Sequence, residues 1–243
     1  LGLGEPRPIS AVHGHGTGDL LDEVVAALPE QAEEPEYPED ALRVAIIGRP
    51  NVGKSSITNR FAGKNRSIVS DVAGTTRDAL DVVVEREGKR YRLVDTAGMR
   101  KRNLVHEDVE YYSLVRGLRA IDEADVCLLV VDASEGVTEQ DQKVAGLAIE
   151  RGCALVILLN KWDLVRTDEK REDVMMSVAR RMTFAPWAPV IRVSALTGRS
   201  LDKVWAVVDR VGAAHAGKIS TNALNNLLAS MRESGHTVTK GAK

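Results

Sequence analysis

Cysteine is nearly absent from this chain, aromatic residues are few, neither sign of charge dominates, and no apolar run is long. There are two cysteines in 243 residues, Cys127 and Cys153, and each sits inside an apolar stretch. That excludes a disulfide framework and a thiolate metal cluster, and it predicts buried free thiols in a cytosolic setting. A formal net charge of -2 gives no sign of a strongly basic nucleic-acid binder or of an acidic solubilising protein. No run reaches the ~18 apolar residues of a membrane span, and no secretory signal is visible. Aromatics are 4% against 44% hydrophobic residues overall, so the core is expected to be aliphatic. The chain begins at Leu1 rather than Met, as a processed chain or a piece of a longer one would.

Continuous apolar strands are abundant. "LRVAIIG" from Leu42, "YRLVD" from Tyr91, "DVCLLVVD" from Asp125, "ALVILLN" from Ala154 and "PVIRVS" from Pro189 read as strands covered on both faces. Amphipathic stretches separate them: Lys54 to Ala62, Glu107 to Ala120, Glu139 to Glu150 and Glu172 to Met182. The alternation predicts an α/β fold, a mostly parallel sheet with helices on both faces. Two strands flank Glu87-Gly88-Lys89, so that pair reads as a hairpin with one antiparallel strand at the sheet edge. "PEQAEEPEYPEDA", Pro29 to Ala41, is acidic and proline-rich and reads as a linker. Beyond Val211, Ser220 or Thr221 caps a helix whose apolar stripe is Ile219, Leu224, Leu227, Leu228 and Met231.

Four motifs, and a threonine pair that lies between the first two, carry chemistry. "GRPNVGKS", Gly48, Arg49, Pro50, Asn51, Val52, Gly53, Lys54 and Ser55, followed by Ser56, lies between a strand and a helix. Its glycines let backbone amides reach phosphate oxygens at a helix N-terminus. Lys54 is placed for the β- and γ-phosphates and the Ser55 hydroxyl for Mg²⁺. "DTAG", Asp95, Thr96, Ala97 and Gly98, ends the next strand. Asp95 holds Mg²⁺ through a water and the Gly98 amide meets the γ-phosphate. Between them, Thr75 and Thr76 in "DVAGTTRD" each qualify as the hydroxyl that completes the Mg²⁺ shell, with Thr76 preferred. "NKWD" names the base: the Asp163 carboxylate accepts from guanine N1–H and its 2-amino group, which adenine lacks there, while Asn160 and Lys161 brace the loop. "SAL", Ser194, Ala195 and Leu196, offers a backbone amide to the guanine oxygen.

These residues resemble a known group. "GRPNVGKS", "AGTTRD", "DTAGMRKR" and "NKWDL" are similar to GTPases of the TrmE–Era–EngA group, and to the second GTPase domain of the Der (EngA) family in particular. The resemblance implies a P-loop NTPase fold of the Ras-like type, a Mg²⁺-dependent GTPase, and action in assembly of the bacterial large ribosomal subunit (50S). It implies two GTPase domains in tandem followed by a KH-like domain. The repeat within this chain fits that plan: "SAVHGHGTGDLLDEV" from Ser10 and "SALTGRSLDKV" from Ser194 superimpose once His13 to Gly16 are removed from the first. Residues 1–28 are therefore expected to be the C-terminal remnant of a preceding GTPase domain, 29–41 the linker, 42–217 the GTPase domain, and 218–243 the lead-in to a KH-like domain whose body is absent. Without that body, direct RNA binding by this chain is not expected. The resemblance also implies a catalytic role for Lys54, Thr76 and Asn51, the last as a ligand of K⁺. Met99, next to "DTAG", cannot orient a water. A tRNA-modifying relative would share the motifs but not the upstream repeat. A GTP-binding module without turnover would share both.

Smaller features are read conservatively. His13 and His15 are loop residues before they are metal ligands, "MRKR" is a solvated charge run, and Trp162, Trp187 and Trp205 are packing residues.

Overall fold

The computed structural model describes residues 8–10, 12–27, 37–63, 81–94, 96 and 117–234. The elements in chain order are α1 (Thr17–Ala27), β1 (Leu42–Ile47), α2 (Lys54–Ala62), β2 (Val82–Arg86), β3 (Lys89–Leu93), β4 (Val126–Asp132), α3 (Glu139–Glu150), β5 (Ala154–Asn160), α4 (Asp168–Arg181), β6 (Val190–Arg192), α5 (Leu201–Ala216) and α6 (Thr221–Glu233). Residues 117–123 are also helical.

Six strands form one sheet in the order β2-β3-β1-β4-β5-β6. All neighbours are parallel except β2 and β3, so the antiparallel strand lies at the edge, as expected. Glu87 and Gly88 make the turn with φ of 52° and 76°, the left-handed pair that matches strand twist in a two-residue hairpin. Lys89 belongs to β3.

The unbroken apolar strands have a geometric cause. Successive residues face opposite sides of a strand, and here both sides are covered. Ala45, Ile47, Cys127, Leu129, Leu155 and Ile157 pack with Val174 and Val178 of α4 and Ala145 and Ala148 of α3. Val44, Ile46, Leu128, Val130, Val156 and Leu158 pack with Ile57 and Phe61 of α2 and Val204, Trp205 and Val208 of α5. On that second face the Trp205 ring meets Phe61 and Tyr91 at centroid distances of 4.6 and 4.4 Å, a tilted geometry that adds to burial. Both cysteines are free and buried. The Cys153 thiol donates to Ile121 O and Ala124 O, and the Cys127 thiol is pushed up in pKa by its hydrogen bond to Cys153 and by burial.

Three expectations need correction. α4 begins at Asp168, four residues before Glu172, because Thr167 accepts from Lys170 N and caps it. Trp162 and Trp205 are core residues, but Trp187 is 54% exposed and sits in the turn before β6, outside the packed faces. The hydrogen bonds of the repeated segment, given below, do not support the removal of His13 to Gly16. The helix read over Glu107 to Ala120 lies outside the described residues up to 116; 117–120 are helical. Ser220 is the cap of α6, accepting from Ala223 N. No described residue of α1 or α6 is buried. Among the described residues, no helix is long and apolar enough to cross a membrane, and no cluster of metal-ligating side chains occurs, at His13 and His15 or elsewhere.

Candidate functional site: a phosphate loop joined to a base-reading cleft

The loop between β1 and α2 is shaped by positions that need unusual backbone. Gly48 has φ 138° and Gly53 φ 103°. A Cβ on Gly48 would lie 2.4 Å from Val130 O, and one on Gly53 would lie 2.2 Å from Asn160 Nδ2, so each glycine permits a close approach as well as a left-handed turn. Asn51 is also left-handed, φ 63°, a conformation asparagine tolerates better than most residues. Pro50 follows Arg49, and Val52 is buried beneath the loop. Lys54 opens α2 with its ammonium curled over the loop, donating to Gly48 O and Arg49 O at 2.6 Å each. From there it can turn to a phosphate. Ser55 and Ser56 lie in the first turn of α2, where the helix N-terminus favours anions.

What holds Arg49 is not apparent from residue identity. Its Nε donates to Asp141 at 3.0 Å and its Nη2 to Glu135 at 2.9 Å. Asp141 is fully buried and also closes the capping box of α3 with Thr138. The phosphate loop is thereby bolted to the start of α3 through an ion pair whose acid is out of water, where loss of one partner is costly.

Asn160 joins the phosphate loop to the base side. Its Nδ2 donates to Val52 O at 2.8 Å and its Oδ1 accepts from Ala195 N at 2.9 Å. One buried side chain thus ties three of the four motifs' loops together. Lys161, left-handed at φ 60°, donates to Asp132 Oδ2 at 2.5 Å. Burial would raise the Asp132 carboxyl, but hydrogen bonds from Lys161 and Ser134 outweigh it and hold the group below the ordinary carboxylate range. Asp163 stands in the short 3-10 turn Trp162–Leu164. Among the described residues its Oδ1 is buried with no hydrogen-bond partner. It borders a cleft of about 430 Å³ lined by Gly53, Ser56, Arg60, Asn160, Lys161 and Ala195, among others. A buried carboxylate oxygen left waiting is costly unless a donor arrives, and the residue that carries this one lines an open cleft.

The structure therefore brings together Gly48, Arg49, Asn51, Val52, Gly53, Lys54, Asn160, Lys161, Asp163, Ala195 and Leu196. Thr96 is buried at the end of the segment after β3. Thr75, Thr76, Asp95, Ala97, Gly98 and Met99 lie outside the described residues.

The turn around Ser194 occurs a second time. Ser194 N donates to Arg199 O, Gly198 N to Ser194 O and Thr197 N to Ser194 Oγ. At the other copy, Ser10 N donates to His15 O, Gly14 N to Ser10 O and His13 N to Ser10 Oγ. Gly14 and Gly198 are both left-handed, φ 70° and 81°, as are Gly16 and Ser200, φ 74° and 60°. The helices then start at Thr17 and Leu201. Ser10 thus equates with Ser194 and Thr17 with Leu201, with no residue skipped. Matching letters placed "TG" on "TG"; matching backbone places Gly14 on Gly198.

Known proteins match this geometry. A family described as 50S ribosome-binding GTPase covers residues 43–161. GTPase Der of Heliobacterium modesticaldum is 56% identical over 233 residues, 96% of this chain and 52% of that protein. GTPase Der of Caldanaerobacter subterraneus is 48% identical over 229 residues, 94% of this chain and 52% of that one. The chain spans about half the length of these curated relatives. Among solved structures, Era of Aquifex aeolicus bound to GDP·AlF4⁻ superimposes with a TM-score of 0.53 at 25% identity, over 71% of this chain and 57% of that one. Elongation factor SelB of Methanococcus maripaludis does so at 0.55 and 18% identity, over 76% and 36%, which speaks for the fold alone. The sheet order, the phosphate loop and the base-side loops are those of a P-loop GTPase, and the chain belongs to the GTPase Der family.

Proposed function

We propose that this chain binds GTP with Mg²⁺, hydrolyses it to GDP and phosphate, and uses the cycle in assembly of the large subunit of the bacterial ribosome, in the cytoplasm. The observation that carries the guanine reading is Asp163, which lines the cleft and whose Oδ1 is buried with no hydrogen-bond partner among the described residues. Guanine offers N1–H and a 2-amino group to such an acceptor, and a site built on a waiting polar group rejects the analogue lacking the donor by roughly 10⁴ to 10⁵.

The donor set suits Mg²⁺, a hard cation that takes oxygen ligands. Ser55, at the N-terminus of α2 beside Lys54, would hold it with Asp95 and either Thr75 or Thr76. Bound Mg²⁺ would neutralise charge on the transferring phosphoryl group. Lys54 would orient the β- and γ-phosphates, and the Thr75–Thr76 and Gly98–Arg102 segments would close on the γ-phosphate and be released by hydrolysis. With Met99 unable to position water, K⁺ held by Asn51 would supply the charge that an arginine finger brings elsewhere.

The ribosomal assignment rests on the family description, 50S ribosome-binding GTPase. The alignment with the Der relatives runs over 96% of the chain, well beyond residues 42–217. Together with the repeated turn, this supports reading residues 1–28 as the end of a preceding GTPase domain, 29–41 as the linker, 42–217 as the GTPase domain and 218–243 as the lead-in to a KH-like domain.

Phosphate release from GTP and from ATP, each in K⁺, Na⁺ and a large organic cation at fixed ionic strength, tests the reading. Turnover of GTP alone, stimulated by K⁺ and losing that stimulation in Asn51→Ala, is expected. Tight GTP binding with no turnover in any salt would reduce the protein to a binding module.

A further inference from the structure

Arg60 stands in the last turn of α2, outside all four motifs, and reaches across to the base-side turn. Its Nε donates to Ala195 O at 3.0 Å and its Nη2 to Leu196 O at 2.5 Å. A guanidinium presents its donors in a rigid fork, and here the fork grips two successive carbonyls. Gly198 lies against the same group: a Cβ there would sit 3.6 Å from Nη1. Arg60 and both clamped residues line the cleft that Asp163 borders.

Two observations argue against a merely structural clamp. Arg60 is exposed, so it fills no core. The same turn at Ser10 to His15 makes the same hydrogen bonds with no described residue within 4 Å of the Cβ position of Gly14, so among the described residues no guanidinium stands behind it there. The clamp at the second copy needs another purpose.

Peptide geometry supplies one. A trans peptide is planar, with its C=O and N–H opposed, so holding Ala195 O fixes the direction of the Leu196 N–H. The Ala195 N–H is already committed to Asn160 Oδ1, which makes the Leu196 N–H the next donor along the turn. We propose that Arg60 is a positioning residue for guanine: by clamping the carbonyls of Ala195 and Leu196 it aims the Leu196 amide at the exocyclic oxygen of the base. This rests on the guanine reading above and completes it. Asp163 reads the N1–H and amino edge, and the amide aimed by Arg60 reads the oxygen.

The test is equilibrium binding of GDP, inosine diphosphate and 6-thioguanosine diphosphate to the wild-type chain, Arg60→Ala and Arg60→Lys. Inosine lacks the amino group and keeps the oxygen. Thioguanine keeps both donors of the Asp163 edge and replaces the oxygen with a weak acceptor. Arg60→Ala is expected to weaken GDP about three- to tenfold, the worth of one hydrogen bond, and to bring GDP and 6-thio-GDP close together while the GDP-to-IDP ratio stays at the wild-type value. Arg60→Lys, whose single ammonium cannot fork onto both carbonyls, is expected to fall between, and it gives the answer should the alanine variant fold poorly. An unchanged GDP-to-thio ratio in the variants, or equal loss toward all three ligands, overturns the role of Arg60. A wild-type chain that does not separate GDP from 6-thio-GDP overturns it as well, with Asp163 untouched. Only a wild-type chain that fails to separate GDP from IDP brings down the guanine reading itself.

Discussion

The turn-and-helix unit at Ser10 to Ala27 and the one at Ser194 to Ala216 share their hydrogen bonds and left-handed positions, yet they lead different lives. In α5 the residues Leu201, Val204, Trp205 and Val208 are buried against the sheet. Their equivalents in α1 are Thr17, Leu20, Leu21 and Val24, and none is buried; Leu21 is 62% exposed. The second turn is wired to Asn160 and Arg60, and among the described residues the first shows no such tie. Local sequence is thus enough to specify the turn and the helix. The core and the ligand site come from what surrounds them: a sheet under the helix and two side chains behind the turn. Most helical stability in proteins comes from such packing rather than from propensity.

The largest effect expected from breaking this comparison is at the helix face. Trp205→Ala removes a ring packed on Phe61 and Tyr91 and is expected to cost about 3–5 kcal/mol. The equivalent Leu21→Ala is expected to cost less than about 0.5 kcal/mol, as surface substitutions do. Urea unfolding of both variants measures it, and equal losses would mean that α1 has a docking surface of its own.

A smaller effect is expected at the shared glycine. Gly14→Ala and Gly198→Ala meet the same left-handed backbone, worth about 1 kcal/mol. Only the second turn belongs to the packed domain, so only Gly198→Ala should lower the midpoint of domain unfolding.

Acid should also act on one unit and not the other. The depressed carboxyl of Asp132, hydrogen-bonded by Lys161 and Ser134, and that of Asp125, held down against burial by Arg43, each contribute stability that is complete above the unfolded-state value near 4 and is lost as pH falls through the lower folded value. Unfolding of residues 37–234 is therefore expected to ease below about pH 4, with a shallower dependence in Asp132→Asn. The helicity of α1, a helix with no buried residue among those described, should not follow that profile.

The smallest expected effect is on binding. Removal of residues 1–36, which leaves the Arg90–Asp40 pair and the stacking of Arg92 on Tyr37 in place, should change GDP affinity by no more than about twofold, within the few tenths of a kcal/mol left to distant sites. A tenfold loss would show that the upstream unit contributes to the site.

What could be read from the sequence follows the same line. Strands buried on both faces announce themselves as unbroken apolar runs, and β1, β4 and β5 were legible for that reason. The motif residues Gly48, Lys54, Asn160 and Asp163 were legible because each does one chemical job at a fixed place in a strand–loop–helix unit. The anchor of Arg49 and the parts played by Arg60 and Asp132 were not, because their meaning lies in partners far along the chain: Asp141, the Ala195 and Leu196 carbonyls, and Lys161. Arginine in a loop or on a helix surface has no periodicity to betray such a partner. The repeat is visible in the letters, but the best match of letters is not the match of backbone. Backbone φ, which lets Gly16 and Ser200 occupy one position, is not written in residue identity.

The central claim is that the buried Asp163 oxygen reads guanine, and binding of GDP and xanthosine diphosphate to the wild-type chain and to Asp163→Asn tests it most directly. Xanthine presents an oxygen where guanine presents its amino group, so an amide donor at position 163 should favour it. The wild-type chain is expected to prefer GDP and the variant to prefer the xanthine nucleotide, each by at least about a hundredfold. A variant that keeps full GDP affinity and ignores xanthosine diphosphate would contradict the account.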